Sequence, residues 1–153
     1  ARLAVTVALL YVVFMHVQTH LSATAVENAL GMGHASERDL MIAPLPVRAF
    51  VRMGHVTTDS GYALRQVRAG PSRVTVGDVV EFVPTRQNEP LSQAARATDD
   101  YRRFMRWSRL PYFIPAPDGD STVVFIGDAR YARGSDETWA GVRVRVPAAR
   151  GAK

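Results

Sequence analysis

Leu3 to Val17 reads LAVTVALLYVVFMHV, and this run decides how the remainder of the chain is interpreted. Only Thr6 and His16 interrupt it, and polarity returns at Gln18-Thr19-His20. A hydrocarbon core asks for roughly 20 apolar residues, and the run offers about 15. Because Ala1 is not an initiator Met, the preferred reading is a last transmembrane helix over residues 1–30 whose span is completed by residues upstream. Two alternatives stay open. A buried or partner-packed core helix has runs of this length. A secretory signal peptide also has a short apolar stretch, although Arg2 is a thin basic start and Ser22-Ala23-Thr24-Ala25 only a vague cleavage site.

Beyond Gly31 the composition changes to charge, proline and turn residues, as expected for one small soluble domain. The whole chain has 153 residues, 47% of them hydrophobic and 22% charged, which are globular rather than disordered values. It contains no cysteine, which excludes disulfides, thiolate zinc sites and cysteine nucleophiles. The net charge of +5 is carried by arginine, since Lys153 is the only lysine. A basic surface attracts phosphate, and beside a membrane helix anionic lipid is the simpler source than nucleic acid, which is not expected as a partner. The charges after the helix, Glu27, Glu37, Arg38 and Asp39, nearly cancel as a topology signal. Only the basic domain then favours the cytoplasmic side.

Gly31 is expected to end the helix by taking the left-handed conformation, and residues 31–39 (GMGHASERD) read as a linker. The soluble domain covers 40–147 and a flexible tail 148–153. Leu40 to Pro46 reads as an extended edge segment because its prolines bias the chain away from helix. Phe50 to Thr58 and Tyr62 to Ala69 flank Asp59-Ser60-Gly61 as a hairpin. Val74 to Val83 is a further strand and Thr85 to Pro90 a polar loop. Ser92 to Leu110 reads as one amphipathic helix, with Ala94, Ala97, Tyr101, Phe104 and Met105 as its apolar stripe. Tyr112 to Pro115 and Thr122 to Tyr131 flank a second turn, Ala116 to Asp120, and Val142 to Val146 alternates strictly. The expected fold is therefore α+β: an N-terminal apolar helix, then a small antiparallel sheet covered by one amphipathic helix.

His16 and His20 lie four apart on one helix face and are the candidate metal pair. A tetrahedral site needs further ligands, and Glu27, His34 or residues beyond this chain would have to supply them. The plainer role is polar residues at the interfacial end of a membrane helix. Asp128 and Arg130 alternate, so on a strand they share a face, and a structural ion pair is expected in preference to acid–base chemistry. Asp118 and Asp120 belong to a turn. Ser108, Ser121 and Ser135 sit in no nucleophile elbow, and Gly119, Gly127 and Gly134 form no phosphate loop. Arg102, Arg103, Arg106 and Arg109 line the polar side of the helix as a candidate surface for lipid or a protein partner, with Trp107 and Tyr112 as interfacial aromatics. Asp99 is placed to neutralise part of that charge.

Several short motifs occur in a meaningful order. Tyr11 stands in the apolar helix and Pro44-Leu45-Pro46 in the extended segment. Asp59-Ser60-Gly61-Tyr62 forms a corner, followed by Phe104 to Pro111 (FMRWSRLP) and Gly127-Asp128-Ala129-Arg130-Tyr131. This order resembles the C-terminal end of bacterial polytopic inner-membrane proteins of the membrane-bound metal-dependent hydrolase family, also called LexA-binding inner-membrane-associated hydrolases. The chain departs from that pattern after Pro46, where Val47 to Arg52 replaces an Asn-Pro and a Trp. The family's metal-binding motifs belong to its N-terminal membrane portion, so the resemblance carries over no catalytic residue. It implies an accessory C-terminal domain without its own active site, a divalent metal in the full-length protein alone, and the N-terminal membrane portion as the natural partner. The alternative is a membrane-anchored binding module that uses the four helix arginines.

Overall fold

The computed structural model of the chain describes residues 2–33, 39–45, 48–70, 73–131 and 138–147. His34, Pro46, Gly134, Ser135, most of the expected linker and the tail lie outside them. The architecture is α+β: an apolar N-terminal helix, a four-stranded sheet and a three-stranded sheet. Two compact units share these elements, Ala1–Thr58 with Ala63–Phe82, and Asp59–Tyr62 with Val83–Lys153.

In the first unit, helix α1 spans Arg2–Leu30, about 43 Å at roughly 1.5 Å per residue. Its end follows from Gly31, which has φ +64°. The Gly31 amide donates to the Asn28 carbonyl and the Met32 amide to Glu27, the paired bonds of a Schellman stop. Met32 then folds back onto the cluster that holds Val26. Strands β1 (Leu40–Leu45), β2 (Arg48–Thr57), β3 (Gly61–Ala69) and β4 (Val74–Pro84) lie in sequence order in their sheet. β1 is an edge strand, which accommodates Pro44. Its antiparallel register on β2 runs from Leu40 opposite Val56 to Pro44 opposite Arg52, with a bulge before Leu45. Val26, Leu40, Val56 and Val67 form this unit's core.

In the second unit, β5 (Pro111–Asp118), β6 (Ser121–Asp128) and β7 (Gly141–Pro147) form an antiparallel sheet in that order. Pro115 and Pro117 offer no amide to a ladder, and β5 is an edge strand. Gly119, at φ +58°, opens the tight turn between Asp118 and Ser121. Gly127 and Gly141 lie opposite each other, the first under the Tyr112 ring and the second under Phe125. A Cβ at Gly127 would stand 2.6 Å from that ring, so a bare backbone is required there. Tyr112 is consequently buried and is not an interfacial aromatic.

The expected helix over 92–110 is two short helices, α2 (Pro90–Arg96) and α3 (Asp99–Phe104). Thr98 causes the break. Its backbone is extended, and its hydroxyl accepts from the Tyr101 amide while donating to the Ala95 carbonyl. An N-cap starts a new helix rather than continuing an old one. The break also shifts the apolar phase: Ala95 is buried, whereas Ala94 and Ala97 are exposed. Ala95 and Phe104 pack with Phe113, Val124, Ile126, Val144 and Val146 as the core of this unit. Pro84 ends β4, the helices intervene, and β5 pairs with β6, so the strands form two sheets rather than one.

Candidate functional site

Two places in the chain combine charge, burial and unusual exposure. The first is Asp128, the last residue of β6, whose side chain is fully buried. Ser108 Oγ and the Arg109 amide each donate to Asp128 Oδ2 at 2.8 Å. The Arg130 amide and Nε donate to Oδ1 at 3.0 and 2.9 Å, and Arg130 Nη2 reaches Oδ2 at 2.8 Å. Arg130 is not on the strand with Asp128. It lies in the following turn and reaches back, its Nη2 also donating to the Trp107 carbonyl. Burial pushes the Asp128 carboxyl up, but the Arg130 side chain and amide, the Arg109 amide and Ser108 outweigh it and hold the group below its ordinary value. The ion pair in turn holds Arg130 above its ordinary value.

Five donors converge on one carboxylate with about four lone-pair sites. Such a group has no free lone pair to accept a substrate proton or a metal. Its effect is to fasten the 107–109 segment to the end of β6. Neighbouring bonds extend the fastening: the Ala129 amide donates to Leu110, and Tyr62 Oη donates to the Pro111 carbonyl at 3.0 Å. Ser60 accepts from the Thr85 amide, and Thr85 accepts from Phe113. Burial, then nearby Asp128 and Tyr101, pushes the Tyr62 phenol well above its ordinary value, so it stays a neutral donor. The Asp59–Tyr62 corner, the Ser108–Pro111 stretch and the Asp128–Arg130 pair, distant in sequence, thus meet in one hydrogen-bonded node.

An exposed aromatic series leads away from this node. Trp107 stacks edge-on against Phe104 at 4.9 Å, Tyr131 lies 6.4 Å from Trp107, and Trp139 lies 5.6 Å from Tyr131. Arg130 covers the Tyr131 ring at 4.7 Å. Trp139 is 71% exposed, a large apolar area to leave in water. Sequence reasoning found Trp107 but not its partners, because neither Tyr131 nor Trp139 carries a periodic signal. Of the four helix arginines, Arg102 pairs with Asp99 and Arg103 with Asp100, all exposed. Arg106 and Arg109 are exposed beyond the end of α3.

The second place is α1. Every side chain from Leu3 to Val13 is exposed, Leu3 by 78% and Val12 by 62%. Only 6% of its most apolar stretch is buried, so that stretch does not pack as a core helix. It is long and apolar enough to cross a membrane, which is compatible with a membrane or signal anchor. The second half behaves differently. Gln18, Ser22 and Val26 are buried, the Ser22 hydroxyl donating to the Gln18 carbonyl at 2.7 Å. Phe14 meets Phe50 edge-to-face at 5.9 Å. Arg52, fully buried on β2, donates to the Ala49 carbonyl at 3.1 Å and makes long contacts with the carbonyl and Sδ of Met15. Desolvation pushes the Arg52 guanidinium below its ordinary value, and Tyr11 partly opposes this.

His16 and His20 are both exposed on α1. His20 borders a cleft of about 520 Å³ with Ala23, Thr24, Glu27, Asn28 and Gly33. Among the described residues no three His, Asp or Glu side chains gather as a metal site. Comparisons with protein-family models, curated proteins and solved structures gave no match to this chain.

Proposed function

We propose that the chain is a membrane-anchored accessory domain of a bacterial inner-membrane protein resembling the metal-dependent hydrolases. In this reading the apolar half of α1 lies in the membrane as part of a transmembrane helix, and the sheets form the soluble part, on the cytoplasmic side. The observation that carries it is the exposure of every side chain from Leu3 to Val13. Eleven consecutive exposed positions, apolar except for Thr6 and the Tyr11 hydroxyl, are costly in water and favourable in hydrocarbon. The saturated Asp128 node suits a domain that holds a shape rather than one that turns over a substrate. A divalent ion activating water would belong to the membrane portion of the whole protein.

Flotation with lipid vesicles tests the anchor. The 153-residue chain floats with vesicles through an alkaline carbonate wash, and the quadruple variant L9Q/L10Q/V12Q/V13Q stays in solution. Tight zinc binding by the chain, lost in H16A/H20A, would contradict the accessory role.

A second reading uses the surface around α3, and the exposed Trp107, Tyr131 and Trp139 beside Arg106 and Arg109 favour it. It makes the domain a binding module for anionic lipid or a protein partner. In the quadruple helix variant, salt-sensitive binding to anionic vesicles that disappears when Arg102, Arg103, Arg106 and Arg109 become Gln supports it. Binding that survives the four substitutions ends it.

A further inference from the structure

Packing and polarity change at the same turn of α1. From Leu3 to Val13 the helix carries side chains exposed on all sides, all apolar except Thr6 and the Tyr11 hydroxyl, with Arg2 charged at its start. From Phe14 onward one face is packed, and His16, Gln18, Thr19, His20, Ser22 and Thr24 bring polar atoms. The strand that packs there is β2. Phe50 meets Phe14, Arg52 meets Met15, and Gly54 faces Val26, so β2 runs in the same sense as the helix. The hairpin end at Leu45 and Arg48 therefore points toward the bare half. Arg48 lies two residues before Phe50, about 7 Å further along at strand rise.

A sheet edge with unpaired backbone groups cannot enter hydrocarbon. The bilayer boundary must fall where the sheet stops accompanying the helix. We propose that the Leu45/Arg48 end of the β1–β2 hairpin, with Phe50, rides at the headgroup level of a lipid bilayer beside Tyr11, Phe14 and Met15 of α1. This rests on the reading of α1 as a membrane helix and adds the depth at which the domain sits.

The side chains suit that level. Tyr11 and Phe50 are both more than half exposed, the aromatic and amphipathic types enriched at membrane interfaces. Arg48 is exposed and can donate to lipid phosphate. Arg52 sits one step deeper in the fold, and no carboxylate among the described residues pairs with it. Among the described residues its Nε has no hydrogen-bond partner. A positive charge held beside the anionic headgroup layer is attracted by that layer.

The absence of cysteine makes the test clean. Nitroxide labels at L9C, R48C, F50C and, as a water reference, R68C are compared in the full chain on phosphatidylethanolamine–phosphatidylglycerol vesicles. Collisions with a water-soluble nickel chelate should fall several-fold at positions 9, 48 and 50 when vesicles are added, and stay unchanged at 68. If position 9 is shielded while 48 and 50 remain as accessible as 68, the hairpin placement is overturned and the anchor stands. If position 9 also stays accessible, the membrane reading fails and takes the placement with it.

Discussion

Among the described residues two formally charged side chains, Asp128 and Arg52, are buried, and they are treated in opposite ways. Asp128 is enclosed by donors from Ser108, Arg109 and Arg130 until its oxygens are saturated. Arg52 is equally enclosed, yet among the described residues it meets two carbonyls and a thioether sulfur and no carboxylate. A buried charge is costly unless its field is answered. Asp128 is answered inside its own unit, so it works as a fastener. Arg52 is answered incompletely among the described residues, at the turn of α1 where the bare apolar half begins.

The sharpest way to break this contrast is to remove one partner of the saturated node. D128N leaves Arg130 without its counter-ion and should cost about 3–5 kcal/mol, read as a large fall in thermal midpoint. A small loss would show that the node is ornamental. Acid probes the same group without mutation. Because its folded pKa lies below the ordinary 3.8, Asp128 contributes stability that is present above about pH 4 and lost as pH falls through the depressed value. Denaturant unfolding followed across that range should show the acid loss in the natural chain and a flatter profile in D128N.

T98A should cost about 1 kcal/mol by removing the cap of α3, with the effect confined to the second unit. R52M should change stability by less than about 1 kcal/mol in detergent, because an apolar side chain of similar length replaces an incompletely answered charge. A loss as large as that of D128N would erase the distinction between the two charges. R102Q/R103Q should be smallest, below about 0.5 kcal/mol, since both pairs with Asp99 and Asp100 are exposed.

What the sequence revealed follows the range of its signals. The stop at Gly31, the turns at Asp59-Ser60-Gly61 and Gly119, and the Val142–Val146 alternation are local chemistry, and each appears in the structure at its expected position. The break at Thr98 was also written locally, as Thr-Asp-Asp, but apolar spacing that continued through it hid the cap. Pairing is not local: prolines, turns and alternation mark seven extended segments without saying that they divide between two sheets. Asp128 and Arg130 were visible, whereas Ser108 and the Arg109 amide reach Asp128 across about 20 residues and leave no spacing to read. Arg52 carries no local signal that sets it apart from the other arginines. Only the packing of β2 on α1 reveals it as buried.

In the proposed membrane reading the two halves of α1 live in different solvents. Single cysteines at Leu9 and at Leu21, both exposed on the helix, can be challenged with a membrane-impermeant maleimide in vesicles and again after detergent. The account predicts that L21C reacts in both conditions, while L9C reacts only once the bilayer is dissolved. Equal labelling of L9C and L21C in intact vesicles would contradict it.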